Sequence, residues 1–513
     1  MQHWELANPN TGSGTYVLSS WLFLRLLGLI YFSAFVSLAT QVKGLVGSHG
    51  ILPARAFLLT KQCWGPARFA QIPTLCWWTT GDGFLQVLCW GGAVLSLFLL
   101  SGVAPAPVLV LLWAFYLSLF NVCRIFLGYQ WDILLLETVF LAVFIAPFEL
   151  LPGFPPATAP SPVILWLLWW LLFRLMFSSG FVKLRSGDRA WRNRTALKYH
   201  YQTQPLPTWT AWYMHQLPAG FHTVSVLVLF SVELVMPAFV FAPPPLSYLA
   251  GAAFITLMLL IMGTGNYCFF NLLGIALSIL LFDDAVWLRL FRRLLPGFES
   301  VPAAPIVRGW PAAITVPVAV VIGLLSLEVV GRLGRFTSRW PKPLEQLMGW
   351  LEPFRLVNGY GLFAVMTTER PEIIIEGSHD GVTWRAYEFK WKPGEVTRRP
   401  RFVAPHQPRL DWQMWFAALS FYHGSPWFGQ FLLRLLENSP DVLALLSKNP
   451  FADNPPRFIR AVLYDYRFTD FAARRATGAW WRRERRGLYS PVLSSRDRSK
   501  ERQPTMEEGA GLE

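Results

Sequence analysis

The chain changes solvent partway along. As far as Gly331, apolar runs follow one another at the length and spacing of membrane-spanning helices, whereas beyond it charged and aromatic residues alternate and no cysteine occurs. Of the 513 residues 53% are hydrophobic and 15% charged, and the mean hydropathy is +0.37, more apolar surface than one water-soluble core hides. The expected fold is a polytopic α-helical membrane bundle of about eight or nine apolar helices, followed by a soluble α+β domain with a small antiparallel sheet or sandwich. The expected divisions are a polar N-terminal segment 1–16, a multi-span region 17–331, a domain over 340–493 and a disordered tail 494–513. The tail is charged and poor in apolar residues.

The net charge of +14 would suggest nucleic acid in a soluble chain, but here the basic residues stand mainly beside apolar runs. That placement reads as topology and lipid contact, with the bilayer as partner and no nucleic acid. The first run follows a polar, acidic start without a basic flank, so it reads as a retained span and not as a cleaved signal. Cys63, Cys76, Cys89, Cys123 and Cys268 show no CxxC and no spacing for metal ligation, so buried inert thiols are expected, with no metal and no cofactor.

The apolar runs are 17–41, 84–101, 105–127, 131–150, 162–180, 221–242, 246–263, 267–282 and 313–331. About 20 helical residues cross a bilayer core, so 267–282, interrupted by Asn271 and Gly274, suits a re-entrant segment. Basic stretches at 42–83 and at Lys183–Lys198 favour the cytoplasmic side. If all nine runs cross, the domain shares that side and the basic 283–312 loop lies outside. If 267–282 only dips in, that loop stays inside and the domain lies outside. The second arrangement is the expectation, although Arg332, Arg335, Arg339 and Lys342 after the last run favour the first.

In the domain, Ile373–Gly377 and Val382–Trp391 read as strands joined at Asp380-Gly381, and Val462–Phe468 as a third with an aromatic stripe. Helices are expected over Leu410–Phe421, over Trp427–Glu437 and from Ser439.

Ionisable residues in or beside the runs include Arg124, Asp132, Glu137, Arg174, Glu233, Asp283 and Asp284, where charge is costly unless it is paired or faces a cavity. Asp132 and Glu137, five apart, do not share a helical face as a paired acid and base would. Ion pairing with Arg124 is the plain expectation, and a polar intramembrane cavity the functional alternative. His200, in the segment that continues through Gln202 and Gln204, is a candidate general base without a nucleophile at a diagnostic spacing. Arg409, Asp411, Trp412, Trp415 and Phe416 suit either a core helix or a protein-binding patch. Trp480, Trp481, Arg482 and Arg483 combine indoles with basic groups as a membrane-surface contact would.

These motifs, in order, resemble the lipase maturation factor family. The resemblance runs from about Trp21 to Pro491 and rests on Gly50-Ile51-Leu52-Pro53, Trp131-Asp132 through Glu137-Thr138, and Gly187-Asp188-Arg189. It continues in His200-Tyr201-Gln202-Thr203-Gln204-Pro205-Leu206-Pro207, Phe282-Asp283-Asp284, Arg409-Leu410-Asp411-Trp412, Asn449-Pro450-Phe451 and Trp480-Trp481. It implies a multi-pass protein of the endoplasmic reticulum membrane, or of a bacterial cytoplasmic membrane if the source is bacterial. The implied role is non-catalytic: a folding factor that helps secreted homodimeric lipases assemble, with its domain facing the lumen and a lipase-type client as partner. Animal members have cysteines where this chain has Trp391 and Arg401, so a bridge implied there is absent here, which disfavours thiol exchange. The runner-up is a membrane-embedded enzyme distantly similar to vitamin K-dependent carboxylases, in which Asp132, Glu137 or His200 converge on a cavity.

Overall fold

The computed structural model describes residues 14–151, 158–294, 307–334 and 340–494. All but Ser494 of the expected disordered tail lies outside them.

The longer helices of the apolar half are α1 Val17–Ala39, α2 Asp82–Ser101, α3 Pro105–Cys123, α4 Gln130–Val143 and α5 Pro162–Arg185. They are followed by α6 Ala196–Thr203, α7 Ala219–Phe230, α8 Leu246–Thr264, α9 Phe270–Ile279, α10 Asp284–Leu294 and α11 Ala312–Gly334. Helix α7 runs on through a π-turn and a 3-10 segment to Phe241. Seven helices are long and apolar enough to cross a membrane, and the pair α9–α10, bent by 107°, would make an eighth.

The contacts of the two short helices decide the topology. Helix α4 has 14 residues. It begins beside the domain, where the Gln130 side chain accepts from the Gly361 N–H, and ends where the Trp310 indole donates to the Val143 carbonyl, just ahead of α11. Helix α9 has 10 residues. Just before it, Asn266 bonds the domain backbone at Arg401 and Val403, and just after it Asp284 bonds the start of α1. Both therefore join the two ends of the bundle. The expectation that 267–282 dips in and returns is corrected: all nine apolar runs pass from end to end, and the N-terminus and the domain lie at opposite ends. The two segments are short because protein surrounds them, so their length answers to their neighbours and not to the bilayer.

The domain begins with an amphipathic helix, α12 Lys342–Leu351. Its central sheet is antiparallel, with strand order β2–β1–β5–β6 and β7 also on β5. Here β1 is Pro371–Ser378, β2 Arg385–Ala386, β5 Phe458–Phe468, β6 Trp481–Leu488 and β7 Leu493–Ser494. A second small sheet pairs β3 Glu388–Phe389 with β4 Leu446–Lys448. The expected second strand is thus split between two sheets, and the hairpin loop is longer than an Asp-Gly turn, because β1 pairs β2 at Gly377 and Arg385. Asp380 organises that loop by accepting from the Val382 and Thr383 N–H groups, with Gly381 at φ +76. Helices α13 Arg409–Ala418 and α14 Pro426–Leu436 follow the expected positions within three residues at each end. Ser439 does not cap the next turn; its hydroxyl donates to His49 of the bundle.

Candidate functional site

The family-like motifs converge on the joint between bundle and domain. Arg409, at the start of α13, is fully buried and meets Asp132 of α4 in a two-pronged pair with both N···O distances 3.0 Å. Tyr116 donates to the same carboxylate, Arg409 also reaches the Phe126 carbonyl at 2.6 Å, and its backbone N–H donates to Gln41 at 2.9 Å. Burial works against the guanidinium, but Asp132 together with Tyr116 and Tyr129 outweighs it and holds the Arg409 pKa above its ordinary value. Next to the pair, Trp412 packs edge-on against Trp131 at 4.8 Å. A charged fork is matched by a carboxylate and sealed by indoles, an arrangement that tolerates neither partner alone.

A second buried network lies farther along α4. Glu137 pairs with Arg174 of α5 and accepts from the Asn358 backbone at 2.8 Å, the Asn358 side chain at 3.1 Å and the Tyr360 hydroxyl at 2.6 Å. Arg174 in turn donates to the Asn358 carbonyl at 3.0 Å. Pairing is therefore as expected but the partner is not: Arg124 lies over the Phe57 ring, and each carboxylate takes a distant arginine.

The His200–Pro207 segment is the third part of the joint. Arg370, just ahead of β1, donates to the carbonyls of Gln202, Gln204 and Pro205 and pairs with Glu372 at 2.7 Å, while Lys392 meets Glu372 at 2.8 Å. The Gln202 side chain accepts from the Phe468 N–H, and Gln204 binds Thr264 and Tyr267. Trp415 donates to the Thr203 carbonyl at 2.9 Å. His200 stacks on Tyr267, and burial, helped by nearby Lys183, pushes its pKa down to about 4. It is neutral at pH 7 and bonds to neither Asp132 nor Glu137, which are committed to arginines.

Asp283 and Asp284 stand at the other end. Asp284 accepts from the Thr15 hydroxyl at 2.8 Å and from the Val17 and Leu18 N–H groups at 3.0 and 2.8 Å, so it caps α1 from more than 260 residues away. Helix α1 has no acidic residue in its own first turn, and the distant carboxylate supplies the charge its N-terminus favours. Asp283 accepts from the Gly14 N–H.

Two surface assignments are corrected. Arg409, Asp411, Trp412 and Trp415 are all buried, and of that proposed patch only Phe416 is open to solvent. Burial pushes the Asp411 carboxyl up, while the Lys392 and Trp391 N–H groups it accepts pull it back, so it holds the 391–392 turn against α13. Trp480 and Trp481 are likewise buried, in a cluster with Trp212, Tyr466 and Phe468, and only Arg482 and Arg483 remain exposed. Local packing accounts for it: the Trp481 ring lies on Phe468 at 4.2 Å, where Arg370 also covers it, and Trp480 meets Trp212 edge-on at 5.6 Å.

Sequence reasoning singled out none of Arg370, Glu372, Gln407, Asn358, Asn266 and Lys392. The Gln407 backbone donates to Ser37 and accepts from Gln41, and the Asn266 side chain bonds four backbone groups. One signal was present: Arg370 and Glu372 are charged residues two apart, entering an Ile-rich strand on one face. Among the described residues, no group of three His, Cys, Asp or Glu side chains could hold a metal ion, and the five cysteines are free.

Comparison with known proteins extends over the same ground. The family model for the lipase maturation factor transmembrane domain matches residues 18–289, and that for the lipase maturation factor C-terminal domain matches 356–491. Lipase maturation factor 1 of Bos taurus is 37% identical, with 94% of this chain and 90% of that protein covered. The Homo sapiens lipase maturation factor 1 is 35% identical, covering 94% and 89%, and lipase maturation factor 2 of Gallus gallus is 37% identical, covering 93% and 81%. No solved structure matches.

Proposed function

Because the chain belongs to the lipase maturation factor family, we propose that it is a membrane-held factor for the folding and assembly of secreted homodimeric lipases, acting by noncovalent contact. The observation that carries this reading is a strip of apolar side chains left open beside the rigid joint. Phe416 (44% exposed), Leu419 (41%) and Phe421 (71%) follow one another at the end of α13, and Gln413 of the same helix ties the strip to Ile125, itself exposed. Large apolar residues presented together on a fixed support suit an incompletely assembled client. The domain carries no cysteine, so it has no thiol of its own to exchange.

The finer part of the proposal is location: the domain on the lumenal face of the endoplasmic reticulum membrane. Arg289, Arg292 and Arg293 of α10 at the opposite end support this, since positive charge there favours the cytoplasm. The loops with Lys43–Arg68 and Lys183–Lys198 lie at the domain end and argue the other way, although Lys183 is consumed by a buried pair with Glu233. A single cysteine in place of exposed Thr383, in a cysteine-free variant, decides the side by its reactivity towards an impermeant maleimide in sealed microsomes.

Co-expression with a homodimeric lipase tests the function. Wild-type protein should raise the yield of active dimer and co-purify with the lipase, and Phe416→Ser with Phe421→Ser should lose both while the melting temperature holds. Retained capture by that variant would remove the strip from the role; no effect of wild type on lipase yield would sink the proposal itself. A catalytic reading needs Asp132, Glu137 and His200 to converge, and the separate ion pairs of the two carboxylates support the non-catalytic one.

A further inference from the structure

The excursion from Gly47 to Gly81, between α1 and α2, carries Arg55, Lys61 and Arg68 and no acidic residue. It is fastened at the domain end of the bundle, where Asn121 donates to the Pro73 carbonyl and Thr74 to that of Ser118, both at 3.0 Å. Ser118 and Asn121 belong to the last two turns of α3, so the excursion lies level with the helix ends, where hydrocarbon gives way to headgroups. Its root is tied to the domain: Arg434 donates to the Gly50 carbonyl and Ser439 to that of His49, both at 2.9 Å.

Leu59, Trp64, Phe69 and Trp78 of the excursion are exposed, Trp78 at 81%. Its cations lie on aromatic rings, Lys61 over Trp64 at 4.5 Å and Arg68 over Phe69 at 4.8 Å and Trp77 at 5.1 Å. Asp82, the next acid along the chain, is taken by the Ser48 N–H and hydroxyl, both at 2.7 Å. Arg55, Lys61 and Arg68 therefore enter no ion pair among the described residues. Helix α2 begins four residues after Trp78, and Val87, Trp90, Val94 and Leu97 make an exposed apolar stripe on it. Their spacing of three and four keeps them on one face, so the apolar surface of the excursion continues into one that meets acyl chains. Between the short helix Ala54–Thr60 and the turn before α2 a cavity of about 700 Å³ opens. Arg55 is its one charged wall residue, with Gln62, Thr79 and Thr80 among the polar ones and Leu59 and Trp78 among the apolar.

We propose that this excursion is a phospholipid platform: it lies in the headgroup layer and takes an anionic phospholipid, whose phosphate rests on Arg55 in the cavity. Leu59, Trp64, Phe69 and Trp78 enter the layer beneath, and Lys61 and Arg68 meet neighbouring headgroups. Three unpaired cations with no carboxylate among them complement an anionic lipid better than a zwitterionic one, whose ammonium would find no counter-charge there. Indoles and long basic side chains together suit this depth, since each has an apolar body and a polar tip. Through Gly50 and His49 the platform holds the domain at a fixed height over the bilayer.

Cys63, the one exposed cysteine among the described residues, supplies the probe. The full chain carries an environment-sensitive fluorophore there and is placed in phosphatidylcholine nanodiscs with a minority of phosphatidylglycerol. A nitroxide near the top of the acyl chain, on either lipid, is compared with aqueous iodide as quencher. In wild type the lipid nitroxides should quench and iodide should not. The phosphatidylglycerol nitroxide should be about fivefold more effective at equal mole fraction, the enrichment that one basic contact gives. Arg55→Gln with Lys61→Gln and Arg68→Gln should stay shielded from iodide but make the two lipids equal, whereas Arg289→Gln with Arg292→Gln, at the far end of the bundle, should keep the preference. High salt should narrow it in wild type itself. Quenching by iodide and not by lipid would make this a water-facing or protein-binding surface and overturn the proposal. Equal quenching by the two lipids in wild type, or a preference that survives both the triple variant and high salt, would overturn it too.

Discussion

At the scale of residues, the motifs that carry the family likeness hold two parts of one chain together. Asp132 and Arg409 are 277 positions apart, and Glu137 is fastened to Asn358 and Tyr360 across more than 220. Asp132→Asn leaves a buried guanidinium without its counter-charge, at a cost of about 3–5 kcal/mol. The detergent-solubilised variant should melt well below wild type, while Asp132→Leu with Arg409→Met should recover most of the difference. Acid acts on two histidines of the same region. Burial pushes His200 and His406 down to about 4, helped by Lys183 for the first and by Arg409 and Lys390 for the second. The unfolded chain therefore takes up these protons first, near the ordinary value of 6.5, and stability falls as pH drops from there towards 4. Each contributes about 3 kcal/mol to that loss. Melting curves at pH 7 and pH 4.5 should show a smaller acid shift for His406→Gln than for wild type.

At the scale of elements, ends matter more than interiors. Helix α1 receives its N-terminal cap from Asp284, so Asp284→Ala should cost about 1–2 kcal/mol. Hydrogen exchange should rise in the first turn of α1 and leave its last turns unchanged; a uniform rise along the helix would contradict capping as the mechanism. Boundaries of long elements were legible in sequence because apolar runs and strand periods are local. The two short helices were harder. Length alone makes 267–282 look re-entrant, and only the contacts of Asn266 at one end and Asp284 at the other carry it through. Trp480-Trp481 misled for a related reason: an indole pair beside arginines reads alike at a membrane surface and at the start of an edge strand.

At the scale of the molecule, bundle and domain share one interior. Gly44 of the bundle lies so close to the Asp441 carbonyl that a Cβ would collide with it, and α13 is enclosed on the bundle side by Trp131, Phe126 and Tyr129. The isolated segment 340–494 would expose Arg409, Trp412 and Trp415 without their bundle partners and strip Arg370 of the Gln202, Gln204 and Pro205 carbonyls, leaving it only Glu372. It should bind a hydrophobic dye and melt without a cooperative transition, whereas the full chain melts as one unit. A sharp, dye-silent melt of the isolated segment would show that the domain is self-sufficient.

Sequence alone determined the change of solvent, the apolar runs, the strands and most helices of the domain, and the family, because hydrophobic period and ordered motifs are written along the chain. Tertiary structure alone decided which arginine each buried carboxylate meets, that the short runs pass through, and that Trp412, Trp415 and Trp480 belong to the interior while Phe416 stays outside. Those choices depend on which segments meet across hundreds of residues. A buried charge announces that it needs a partner but does not name one.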